Sequence, residues 1–138
     1  MYRDLDDDSA SLRPAEGGWS PKEIIGHLLD SASNNHQRFV RLQIQERLVF
    51  PDYWEDNERW VSIEHFNELR FSDLISLWKL YNVLLENIIR SADPAKLQNR
   101  WERVDGTTSS LIDLMVGYVE HVKEHTDSIR RILEKLKS

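Results

Sequence analysis

An all-α bundle of long amphipathic helices is the fold class this sequence predicts, and three observations carry that prediction. Apolar residues recur at steps of three and four over three long stretches. Glycine and proline are scarce, 5 and 4 in 138 residues, and confined to a few places. No run shows the sustained alternation of a half-buried strand, the nearest approach being RWERV, which reads as briefly extended.

Taken in order, residues 1–18 offer only Tyr2, Leu5 and Leu12 as sizeable apolar anchors, too few for a bundle helix. The first strong helix start is GGWSPKEIIGHLLD. Ser20 suits the N-cap, Pro21 the first helical position, and Glu23 completes a capping box. Ile24, Leu28, Ala32, Phe39 and Leu42 then predict a helix to about Arg47. LVFPDYWEDNERW breaks the pattern at Pro51 and is crowded with aromatic residues, and a short helix is expected over Glu55–Asn67. Ser72 is expected to cap a long helix through SDLISLWKLYNVLLENIIRSAD that stops before Pro94. ADPAKLQNRWERVDGTTSS reads as an irregular connection turning at Gly106, and a last helix is expected from about Ser109 to Leu136. There are no internal repeats, and 138 residues make one domain, 1–138.

Composition narrows the function classes. Without cysteine, neither disulfides nor thiolate metal sites are possible. Twenty-four acidic against 18 basic side chains, net −6, repel a phosphate backbone, so nucleic acid is not an expected partner. No apolar run approaches the roughly 20 residues of a membrane span, and MYRDLDDDSAS has no basic region followed by an apolar stretch. The expected compartment is the cytoplasm.

The histidines carry the chemistry. Leu111, Met115, Tyr118, Val122, Ile129, Ile132 and Leu136 form one inward stripe on the last helix, and His125 falls within it. His121 lies about 40° away around the helix axis, so both rings face the same way. Two readings stay open from spacing alone: core histidines hydrogen-bonded to neighbours, or a ligand pair sharing one ion. His27, beside Ile24 and Ser31 at the edge of an apolar arc, is the candidate third ligand, whereas His36 and His65 read as structural or surface residues. HVKEH matches the H-x-x-E-H pattern of inverted zinc proteases, a coincidence of spacing in so short a chain. The forward H-E-x-x-H pattern fails because Val122 stands at the glutamate position. Glu124 reads as solvated surface charge.

Four segments together, RPAEGGWSPKEIIGHLLDSASNNHQRFVR, DNERW, LWKLYNVLLENI and GYVEHVKEHTDSI, resemble the DinB-like superfamily, in particular its YfiT-like metal-dependent hydrolases. The resemblance runs from about Leu12 over nearly the whole chain. It implies a DinB-like four-helix bundle with an unusual crossover order, and a divalent metal, zinc or nickel foremost, held by His27, His121 and His125. Three imidazoles leave coordination open for a water. A hydrolase of a small molecule is the implied activity. The alternatives are a transferase acting with a low-molecular-weight thiol and a non-catalytic metal-binding scaffold. Asp30, Ser31, Asn35, Tyr118 and Glu120 are candidates to stand around the ion, with none assigned as general base.

The sequence departs from the family pattern in two places. Glu124 stands where many relatives carry a histidine, and the family's first helix extends upstream of this Met1, so that it is expected to be truncated here. The apolar groove left by that truncation predicts a two-fold homodimer that buries leftover faces of the helices holding His27 and Trp78.

Overall fold

The capping signal at Ser20 places the start of the central helix. In the computed structural model, which describes residues 6–137 and the side chains of residues 6–124, helix α2 spans Pro21–Arg41. Both bonds of the capping box form: Glu23 N–H donates to Ser20 Oγ at 3.1 Å, and Ser20 N–H donates to Glu23 Oε1 at 3.0 Å. Arg13 grips the same carboxylate through Nε and Nη2 at 2.9 and 2.7 Å. Burial would push the Glu23 carboxyl upward, but the Arg13 guanidinium and the Ser20 N–H outweigh it and hold the group below its ordinary range.

Preceding α2 is a single turn, α1 (Asp7–Ala10), among the described residues of the segment expected to hold the end of a leading helix. Its structural role lies elsewhere. Helix α4 (Phe71–Arg90) is capped by the Asp7 carboxylate, which accepts from Phe71 N–H at 2.7 Å, and Ser72 is already inside the helix. The expected Ser72 cap is therefore corrected: a long-range acceptor has taken the place of the local one.

Two further expectations change for one reason. Helix α2 ends at Arg41 instead of about Arg47, and Arg47–Val49 forms strand β1. β1 pairs in parallel with β2 (Arg100–Glu102), which pairs antiparallel with β3 (Thr108–Ser110), in the order β1-β2-β3. The Leu48–Trp101 partners are both buried, so pairing outcompetes one more turn of helix. Three-residue strands are too short to display a period, and only the extended RWERV had marked one of them.

Between the first strand and α4, the single expected helix is three pieces. A 3₁₀ turn at Trp54–Asp56 leads into α3 (Asn57–Glu64), His65 turns left-handed at φ 52°, and a second 3₁₀ turn covers Phe66–Glu68. The last helix, α5 (Leu111–Lys137), starts where Ser110 Oγ accepts from Asp113 N–H at 3.2 Å.

Helix α2 packs against both α4 and α5, and every residue from Ile25 through Ala32 is buried. Ile25, Leu29, Phe66, Phe71 and Leu74 fill one half of the core, and Phe39, Leu42, Leu85, Trp101 and Met115 the other. No leftover apolar face therefore exists on this part of α2. An exposed apolar stripe lies on α4, where Leu77, Leu80 and Val83 are 53, 69 and 63% accessible. Among the described residues no helix is long and apolar enough to cross a membrane.

Gly26 fixes the approach of the connection to α2. A Cβ there would stand 2.1 Å from Phe66 Cδ2 and 2.4 Å from its Cγ, inside the body of the ring. Gly26→Ala should accordingly destabilise the protein by about 1–3 kcal/mol despite its better helix propensity. In Gly26→Ala/Phe66→Ala the two effects should be clearly non-additive. Denaturant unfolding checks both, and strict additivity would show that the contact does not form.

Candidate metal centre

His27 and His121 meet because α2 and α5 run antiparallel. Asn99 Nδ2 donates to Leu42 O at 2.6 Å, just past the end of α2, and Asn99 O accepts from Leu111 N–H at 2.9 Å, at the start of α5. From that joint the helices run back along each other, with Phe39 edge-on to Tyr118 at 5.9 Å between ring centres. Further along, the His27 and His121 rings stand 6.3 Å apart at 86°. His27 is 1% exposed, with the Trp19 ring 4.8 Å away. Trp54, half exposed, lies 5.8 Å from His27 and 5.9 Å from His121. Burial pushes the His121 imidazole below its ordinary value, with Glu124 partly opposing, so the neutral, lone-pair-bearing form is favoured.

Two imidazoles that hold one zinc at about 2.1 Å in tetrahedral geometry have their ring centres about 5 Å apart. The observed 6.3 Å is close to that separation, so the spacing of the two rings is compatible with a shared divalent ion. Among the described residues no three histidine, aspartate or glutamate side chains come together in a group that could hold a metal ion. The third sequence-derived ligand, His125, follows His121 by four positions on the α5 backbone, and its side chain lies outside the described residues. His36 and His65 stand apart. His36 Nδ1 is 2.8 Å from Tyr81 Oη, and His65 is an exposed residue at the left-handed end of α3.

His121 also lines a cleft of about 420 Å³. Of the residues expected around the ion, Ser31, Asn35 and Tyr118 line this cleft, while Glu120 is exposed. The Tyr118 hydroxyl is committed to Asn82 Oδ1 at 2.6 Å. Sequence reasoning missed Arg38, Tyr53, Trp54, Trp101 and Arg103, which complete much of the wall. The aromatic crowding of LVFPDYWEDNERW was the available signal for two of them. Burial pushes the Tyr53 phenol up to about 12, so it keeps its proton.

Asp30 takes a different position, buried at 4% exposure beside Glu64. Burial first, then the neighbouring Glu64 carboxyl, raise it well above the usual carboxylate range. The folded state thus holds a proton that the unfolded chain releases near pH 4. Stability from this source falls as pH rises from about 4 toward neutrality, since the native state binds more protons there. In chelator-treated protein, Asp30→Asn should raise the melting temperature by at least about 2 °C more at pH 7.5 than at pH 4.5. Equal changes at the two pH values would contradict a raised Asp30.

Known proteins resemble this chain in sequence and in fold. A protein of Bacillus mycoides (strain KBAB4), named a putative metal-dependent hydrolase, is 24% identical over 134 residues, covering 97% of this chain and 76% of its own length. One of the same designation from Oceanobacillus iheyensis is 24% identical over 135 residues, covering 96% and 75%. The structure of YfiT from Bacillus subtilis, described as a probable metal-dependent hydrolase with an unusual four-helix bundle topology, matches with a TM-score of 0.81 at 18% identity. It covers 96% of this chain and 75% of that one, and establishes likeness of fold. The family model of the DinB superfamily matches residues 2–129, and the chain belongs to that superfamily.

Proposed function

We propose that this protein is a metal-dependent hydrolase of a small molecule, with His27, His121 and His125 holding one divalent ion, zinc or nickel. The observation that carries the reading is the meeting of His27 and His121, distant in sequence, beside a cleft that His121 itself lines. The names of the relatives support the same class of activity. Held there by His27, His121 and His125, a divalent ion would supply Lewis-acid activation for hydrolysis. Around it the chain does the positioning. Trp19 packs on His27 and helps exclude water from that ring, Trp54 walls both histidines, and the protonated Tyr53 hydroxyl is available to donate a hydrogen bond.

Protein purified without chelator or nickel resin should contain close to one equivalent of metal by elemental analysis. His27→Ala, His121→Ala and His125→Ala should each weaken binding by more than the roughly 10–100-fold typical of residues that only support ligands. His65→Asn, which keeps a residue tolerant of the left-handed backbone, should retain the metal. Full metal content in His27→Ala or His121→Ala would overturn the assignment.

The exposed Leu77, Leu80 and Val83 stripe on α4 supports a homodimer. A two-fold axis lets one such stripe cover its own copy, which is the simplest closed arrangement. Sedimentation at micromolar concentration should show a dimer for the native chain and a monomer for Leu80→Glu. A native monomer would refute the dimer.

A further inference from the structure

Arg38 is 5% exposed, yet it is among the residues that line the same cleft as His121. A buried guanidinium with unfilled donors is costly, so its contacts are informative. Nη1 reaches Asn35 Oδ1 only at 3.5 Å, and Nη2 makes a loose ion pair with Asp52 Oδ1 at 3.6 Å, beyond hydrogen-bond range. Nε and Nη2 are buried without a hydrogen-bond partner among the described residues. These two nitrogens share one edge of the guanidinium, the edge that a carboxylate grips with both oxygens.

The surroundings select the ligand. Trp101 lies flat beneath the charge, with Arg38 Cζ 4.0 Å and Arg103 Cζ 4.2 Å from its ring centre. Arg103 is already held by Ser109 Oγ at 2.9 Å and lies 3.9 Å from Asp52. Against the two arginines stand Asp52 and the exposed Asp113, both on the cleft wall. Two positive and two negative groups give no excess field to draw a dianion. What the wall lacks is one pair of acceptors for one fork. The volume of about 420 Å³ suits a small organic molecule.

We propose that the Arg38 side of the cleft is a carboxylate-recognition site, with Nε and Nη2 as the fork and Trp101 as the platform. The substrate is then a small carboxylate-bearing molecule whose reacting group extends toward His121. The inference rests on the hydrolase reading for that reacting end alone.

The test uses protein stripped of metal with phenanthroline and dialysed, so that no ion can bind the probes. Binding of hydrocinnamate, its neutral amide hydrocinnamide, and phenyl phosphate is measured by calorimetry and tryptophan fluorescence. Hydrocinnamate should bind roughly ten-fold or more tighter than either of the others, as expected for a charge-assisted bond. Arg38→Gln should reduce hydrocinnamate to the level of the amide. Arg38→Lys, which keeps charge but loses the fork, should also weaken it. Equal binding of acid and amide by the native protein, preference for the phosphate, or no binding of any probe would overturn the proposal without any variant having to fold. Undiminished hydrocinnamate binding by folded Arg38→Gln would do the same. Metal content of the histidine variants reports on the hydrolase reading alone, so the two failures are distinguishable.

Discussion

Asn99 sits in an irregular connection and ties two helices that are far apart in sequence. Its amide donates to the carbonyl just past the end of α2, and its own carbonyl receives the first N–H of α5. Ile112 N–H adds a neighbouring bond to Leu97 O at 3.0 Å. With one end of the seam pinned, the common rise of 1.5 Å per residue carries the register along it. A slip of one turn, about 5.4 Å, would separate the two imidazoles beyond the reach of any shared ligand. The buried face of α5, Leu111, Met115 and Tyr118, resists that slip by packing against Phe39 and Leu85 in one core.

The price of this arrangement is polar burial in the middle of α2. Within a stretch that is buried throughout, His27, Asp30 and Ser31 occupy positions that aliphatic residues would fill more stably. Arg38 continues the same pattern toward the other end of the helix. The apolar mass that offsets these costs comes from both halves of the core and from the Gly26–Phe66 approach, where the missing side chain lets a ring lie against the backbone beside His27. Stability and site are thus set by one helix, with its neighbours supplying apolar cover and partner side chains.

Legibility in the sequence followed the range of the interaction. The capping box at Ser20 is local and was readable from four residues, and the helical stripes of α4 and α5 were readable from their period. The cap of α4 was not, because its acceptor, Asp7, lies far up the chain and any serine near a helix start looks like the better candidate. The short sheet escaped because Leu48 and Trp101 are strand residues only by virtue of each other. At the site, the i,i+4 spacing marked the late histidines, and family resemblance marked His27. Arg38 carried no such mark, since an arginine near a helix end is ordinarily a solvated charge, and its burial appears only when β2 brings Trp101 over it.

X-ray absorption at the edge of the bound ion reports on its ligands without requiring a substrate, and so tests the three-histidine site. The expected spectrum shows nitrogen or oxygen neighbours at about 2.0–2.1 Å with more distant scattering from three imidazole rings. A shell of oxygen ligands with no imidazole signature, or with one ring only, would contradict the joining of α2 and α5 through a common metal.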